Sequence, residues 1–595
     1  MTAKSGYWAL APESPTHEEA LAVLRAALAD AARGERPLVL VEAPGPEDED
    51  AVADVLRSTA LATGAAFARG AFAPERADEP FHGLADALGA RVQALGATAG
   101  EEREATIERL AEAMGHRDGP LSEVVPALGA LVSERLLPGP RSRWFEAGLP
   151  EDRVRFTQQV RALIAALAPS GAPLVLFLGG VEWADEDTRR LLSALARGPG
   201  DLMLVLAGPG IGEGPTARRV QEPTWVQPPE RQPLPGVSPT DALAQAHRAL
   251  ELGAHRCAAR LAEAGCAGVG DDDQLRARLL SALARAELGS GGEARIDEVL
   301  ALDVPLEDRL SAELTRFVAR LEAGDHRGAR EASERFFARV VPDGGGWAPR
   351  SLRQLTGELG TRWRLGRELD RGLLTIPQTD DPVITVSQRM RAATRVDDEP
   401  VDDAVLRDLR HVLETGVSRF GGALLMRYAG LLVGRPRRVA TGRRLAALIV
   451  ALQERIDDPR TRPRVHYLRA ALVAPLDTSG AELVTTLDGI TQDALAVGDL
   501  ATAQDAAELA GALDVMATDD LDQAWSRCVA REDALRDVGR QDLTLAATRA
   551  GVLAQRGTLP TGGESNAAGH AMRLFAWLLR ADPNGVAREY ATARP

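Results

Sequence analysis

Lysine is almost absent from this sequence. The chain of 595 residues carries a single one, Lys4, and every other basic residue is an arginine. Chemistry that needs an ammonium group, whether a phosphate-binding lysine or a Schiff base, therefore has to come from the first few residues. Cysteine is scarce as well. Cys257, Cys266 and Cys528 are too few for a disulfide framework, which suits a reducing cytoplasm. The first two have no histidine at metal-ligand spacing and read as small buried hydrophobes. No apolar run approaches the ~18 residues of a membrane span. The start, "MTAKSGYWALAPESPTHEEA", lacks the basic-then-apolar layout of a secretory signal. A net charge of −16 weighs against direct DNA binding, because a phosphate backbone demands a positive surface. The nine histidines form no metal-binding pair, with His255 and His326 read as surface residues, and no serine or cysteine sits in a nucleophile elbow. What remains is a cytoplasmic chain of several domains with no membrane segment and no evident catalytic centre.

What is present falls into two halves. "PLVLVEAP" (37–44), "AAFARGAF" (65–72), "APLVLFLGG" (172–180) and "DLMLVLAG" (201–208) are short apolar runs separated by helical patterns. Such alternation predicts a parallel α/β sheet with both faces covered, over residues 1–208. Residues 209–238 are rich in proline and read as an extended linker. From 239 to 595 the pattern is helical throughout, with a possible break near 342–349. "SPTD" (238–241) gives the first of these helices a sharp start: a capping serine, a proline at the first helical position and an aspartate in the first turn.

Within the helical half a short pattern recurs. "LELGAHRCA" (250–258), "LEAGDHRGA" (321–329) and "LAVGDLATA" (495–503) share Leu-x-x-Gly and a later alanine, and "LLVGRPRRV" (431–439) ends in valine instead. A glycine that ends one helix and a small residue early in the next predict close-packed helical hairpins. Stacked hairpins would make a tetratricopeptide-like array, with a surface for a protein, peptide or small ligand.

Two motifs carry the functional argument. "LVLVEAPGPEDEDAVADVLR" (38–57) runs from a strand through a Pro/Gly turn into a helix, the layout of a phosphate loop. "LVLFLGGVEWADEDTRRLLSALA" (174–196) places Trp183, Ala184 and Asp185 after an apolar strand. Together they resemble the nucleotide domain of signal-transduction P-loop ATPases, specifically the large ATP-binding regulators of the LuxR type. Those carry Gly-Pro-x-x-x-Gly-Lys-Ser/Thr, then two acids before x-x-Trp-Ala-Asp, then a helical sensor region and a terminal helix-turn-helix.

The resemblance puts Ala43 at the first glycine, Pro44 and Gly45 in the loop, Asp48 at the second glycine, Glu49 at the lysine and Asp50 at the hydroxyl residue. It puts Gly179 and Gly180 at the paired acids. A phosphate loop needs convergent amides, a cation and a Mg²⁺-binding hydroxyl. Here four consecutive acids, Glu47 to Asp50, stand where phosphate would lie, at a cost of several kcal/mol in like-charge repulsion. The carboxylate that would hold Mg²⁺ is missing too. These departures predict a pseudo-ATPase with no bound cofactor, and the C-terminal sequence shows no base-reading helix pair. A regulatory or scaffold role is the leading expectation. A second reading gathers Glu47, Asp48, Glu49, Asp50, Glu182, Asp185, Glu186 and Asp187 into an acidic crevice that binds a divalent cation or supports metal-dependent chemistry. A third keeps weak nucleotide binding at Gly45 and its neighbouring amides, without hydrolysis. A plainer role for the acids is to balance the macrodipole of the helix they begin.

Overall fold

A computed structural model describes residues 7–340, 366 and 376–537, apart from 11–16, 35–36, 44, 77–78, 98–100, 115–119, 137–149, 170, 198–201, 210–236, 289–291, 394–400 and 518–519. Pro44, most of the expected linker and the expected break at 342–349 lie outside the described residues. The chain divides into two compact units, Met1–Asp308 and Arg309–Pro595.

Five parallel strands form the sheet of the first unit: β1 (Tyr7–Leu10), β2 (Leu38–Glu42), β3 (Ala66–Ala71), β4 (Leu174–Gly179) and β5 (Leu202–Gly208), in the spatial order β1-β2-β5-β4-β3. β4 and β5 are buried along their whole length, which is why they read as unbroken apolar runs. Their residues alternate between two cores with the period of a strand. Leu174, Leu176, Leu178, Leu202, Leu204 and Leu206 face one core, while Val175, Phe177, Met203, Val205 and Ala207 face the other. Helices α1 (His17–Ala32) and α2 (Pro46–Ala62) cover the second face. The first face is covered by α3 (His82–Gly96), α4 (Glu101–Ala113), α5 (Pro120–Val124), α6 (Pro126–Val132), α7 (Pro150–Leu167) and α8 (Glu186–Arg197).

This core continues into the helical half. Ala242, Ala246 and Leu250 of α9 (Pro239–Glu251), Ala258 and Leu261 of α10 (His255–Gly268), and Leu279 and Leu283 of α11 (Asp273–Ala286) belong to the same buried cluster as the strand leucines. The compact unit therefore runs well past 208, with α12 (Gly292–Ala301) included. Ser238 caps α9 as its sequence suggests, accepting the Asp241 N–H at 3.2 Å.

The described residues of the second unit are mostly helical. Three of the four recurring turns, one in the first unit and two in the second, share one geometry. Gly253, Gly324 and Gly498 adopt φ of +70°, +74° and +82°. The amide after each reaches back to the carbonyl five residues earlier: Ala254 to Ala249, Asp325 to Arg320 and Asp499 to Ala494, at 2.8–2.9 Å. This is the Schellman closure that a left-handed glycine permits. The following Ala258, Ala329 and Ala503 are fully buried. The fourth turn departs: Gly434 stays right-handed at φ −64°, and Val439 is only half-buried. Its chain goes on turning through Arg435 to Arg438, because the Arg438 N–H bonds the Arg435 carbonyl at 2.8 Å.

Candidate functional site

The carboxyl ends of β2 and β4 hold both motifs. Gly45 stands at the N-cap of α2 in an extended conformation, without a side-chain cap, and Pro46 opens the helix. The Asp48 and Glu49 amides both turn to the Gly45 carbonyl, at 3.1 and 3.2 Å. Amides that a phosphate loop would aim at its ligand are thus used inside the helix. Glu47 and Asp48 are exposed. Asp50 pairs with Arg69 of β3, whose guanidinium also lies 5.8 Å from the centre of the Phe177 ring.

Glu49 alone turns inward and is 8% exposed. Its Oε1 accepts the Gly180 N–H at 3.0 Å. Its Oε2 fills the space that a side chain at 179 would need, since a Cβ on Gly179 would collide with it. Glu49 therefore fills the space in front of Gly179 that any side chain there would need. Gly180 has φ +62°, and a Cβ there would run into the Phe72 carbonyl. A second carboxylate uses the third glycine of this edge. Glu182 Oε2 lies 2.6 Å from where a Cβ on Gly208 would sit and has no hydrogen-bond partner. Burial raises the pKa of Glu49, the Gly180 amide opposes the rise, and the neighbouring Glu182 charge adds to it. Burial likewise raises Glu182, opposed by Arg189 and Trp183.

The Trp-Ala-Asp segment is spent on structure. Asp185 Oδ1 accepts the Thr188 N–H at 2.8 Å, its other oxygen accepts the Thr188 hydroxyl, and it thereby caps α8. The Thr188 Oγ1 in turn accepts the N–H of Phe81, which sits at φ 64° at the start of α3. Asp187 is 4% exposed, and its Oδ2 accepts the Arg256 and Cys257 amides at 2.8 and 3.3 Å. It thus holds the first turn of α10 to the sheet unit. Burial and the Asp185 charge push its pKa up to about 6, against the pull of those two amides. Glu186 pairs with Arg190 and Arg256. Trp183 is half-buried against the sheet core.

The expected acidic crevice is therefore dispersed. Of its eight members, Glu49 and Glu182 share the edge, Asp185 and Asp187 serve as caps, Asp50 and Glu186 are paired with arginines, and Glu47 and Asp48 face water. Among the described residues no group of three His, Cys, Asp or Glu side chains could hold a metal ion. A surface position for His255 is also corrected. Packing of α10 against the unit buries it to 6% exposure, and desolvation with the Arg153 charge lowers its pKa to about 3.

Sequence reasoning missed Arg69, which brings a cation to the loop from an apolar strand. A charged residue inside an otherwise apolar run was the available signal. It also missed the anchor of the Phe81 turn. There the buried His82 accepts the Ala73 N–H through Nε2 at 3.0 Å and contacts the Glu79 carbonyl through Nδ1.

Residues 51–206 match an AAA ATPase domain. The match starts directly after Asp50 and spans β3, β4, the Trp-Ala-Asp segment and most of β5. It fits a P-loop ATPase of the signal-transduction type and points toward ATPase chemistry as the family's activity. No curated protein and no solved structure matches the chain. No helix among the described residues is long and apolar enough to cross a membrane.

Proposed function

We propose that the first unit is a pseudo-ATPase: a nucleotide-binding fold kept as a platform while its site is closed from within. The chain is then a non-catalytic regulatory or scaffold protein of the LuxR-regulator type, and its helices carry the surface that binds a protein or peptide partner. The observation that carries this reading is the Glu49 carboxylate on the Gly180 amide at 3.0 Å, in the space of the absent Gly179 side chain. A phosphate in the same place would meet a buried acid instead of a cation, with Glu182 beside it. Hydrolysis would also need a carboxylate to hold Mg²⁺ or orient water, and the residues aligned with that role are glycines.

Phosphate release from MgATP tests the reading. The expected rate with the full chain equals that of a Glu49→Ala variant and of buffer. Turnover that depends on protein and is lost in Glu49→Ala would establish an enzyme and overturn the proposal.

A further inference from the structure

A chain with 86 acidic residues places none between Glu414 and Glu454. Five arginines lie within that stretch, Arg435, Arg437 and Arg438 in the turn that joins helices Gly421–Val433 and Val439–Ile456, and Arg443 and Arg444 early in the second helix. Arg437, Arg438 and Arg444 are exposed and meet no carboxylate among the described residues. Arg443 pairs with Asp477 at 2.5 Å and donates to the Leu476 carbonyl at 3.4 Å.

Those two bonds pin the end of a neighbouring segment against the arginine stretch. That segment exposes two large apolar side chains, Leu472 at 40% and Leu476 at 51%. Leu472 lies over Gly430, where an added Cβ would stand 2.7 Å from its Cδ1. Through Arg443 the arginine stretch borders the segment that carries these leucines. Elsewhere in the described residues only Leu61 and Leu306 are large apolar side chains this exposed.

The charges are also poorly served by the fold itself. Arg438 is the N-cap of helix Val439–Ile456, offers no side-chain acceptor, and no acid stands in the first turn. Cations at the positive end of a helix are unfavourable, and nothing in the helix offsets them. A carboxylate arriving from outside would relieve both the helix end and the arginines. Guanidinium groups suit this, since they bind carboxylates in a bidentate fork.

Two polyanions come into question, and the leucines with the net charge separate them. A nucleic-acid backbone has no use for exposed leucine, and its length would bring it against the rest of a chain of net charge −16. A short peptide feels only charges within a Debye length, about 8 Å at physiological salt. We propose that this face docks an acidic amphipathic helix of a partner protein, with its carboxylates on Arg437, Arg438 and Arg444 and its apolar residues on Leu472 and Leu476. The proposal rests on the reading of the helical unit as the docking part of the molecule, and it is independent of the fate of the nucleotide site.

The test is fluorescence anisotropy on the full chain, with a labelled peptide of about five helical turns that carries glutamate on one face and leucine on the other. Reversal of Arg437, Arg438 and Arg444 to glutamate is expected to weaken binding at least about tenfold. Leu476→Ser, or replacing the peptide's leucines by serine, is expected to weaken it a few-fold. Circular dichroism should be unchanged, because these side chains are exposed. Equal binding by the charge-reversed variant overturns the face while leaving another docking surface on the unit. Absence of binding to the unaltered chain overturns the face and its docking role together. Tighter binding of single-stranded DNA, displaced by the peptide, makes the face a nucleic-acid site instead.

Discussion

In the acidic stretch 47–50, three of four side chains face water or a neighbouring arginine, and the fourth turns inward to bond an amide across the sheet edge. In 182–187 the proportion is reversed. Asp185 and Asp187 are both buried and both bind backbone amides at helix starts, one on its own helix and one on α10. The two stretches are alike in composition and sit on the same sheet edge, yet only two of their carboxylates share a site. A carboxylate next to free amides is drawn to them, so each acid's use depends on which helix start lies within reach.

The comparison breaks most visibly at Asp187. Asp187→Ala leaves the Arg256 and Cys257 amides without their acceptor, and a loss of about 2–3 kcal/mol is expected in urea unfolding. Glu49→Ala removes one acceptor, from Gly180, and is expected to cost about 1–2 kcal/mol. A cost for Glu49→Ala above that for Asp187→Ala would mean that the Glu49–Gly180 contact, and not the cap on α10, is what holds the unit together.

Glu49→Gln sharpens the contrast through pH. The folded pKa of Glu49 is raised, so its stabilising contribution is complete below the ordinary value of 4.5 and is lost as pH rises through the folded value. Glutamine keeps an acceptor for Gly180 without the buried charge beside Glu182. The variant is therefore expected to be more stable at pH 8, by about 0.5–1 kcal/mol, and to converge with the unaltered chain near pH 4. Thermal melts across that range measure the difference. Glu47→Ser and Asp48→Ser should do least, about 0.5 kcal/mol or less each, since both acids are exposed and act only on the helix macrodipole.

The sheet was legible in the sequence because β2, β4 and β5 are covered on both faces, which leaves unbroken apolar runs. Three hairpin turns were legible because a left-handed glycine and a buried alanine are local requirements. The same pattern misled at Gly434, where the turn continues through the arginines and needs no left-handed residue. The P-loop ATPase character of the first unit could be read from the strand–turn–helix layout at 38–57 and from Trp-Ala-Asp. The use of each acid could not be, because Glu49 meets Gly180 and Asp187 meets Arg256 only after distant segments pack. A helical pattern places Glu49 on a face of α2 but does not say that a missing side chain at 179 has left room for it. The continuation of the sheet core into α9–α11 was hidden in the same way, behind a proline-rich stretch that reads as a boundary.

Calorimetric titration of the full chain with ATP and ADP, with and without Mg²⁺, tests the central claim most directly, beside a variant that restores the loop chemistry through Asp48→Gly, Glu49→Lys and Asp50→Ser. A closed site predicts no heat of binding up to millimolar nucleotide for the unaltered chain and measurable binding for the restored loop. Micromolar binding by the unaltered chain would contradict it, and would mean that the Glu49 carboxylate leaves Gly180 and that Arg69 turns from Asp50 to meet the phosphates.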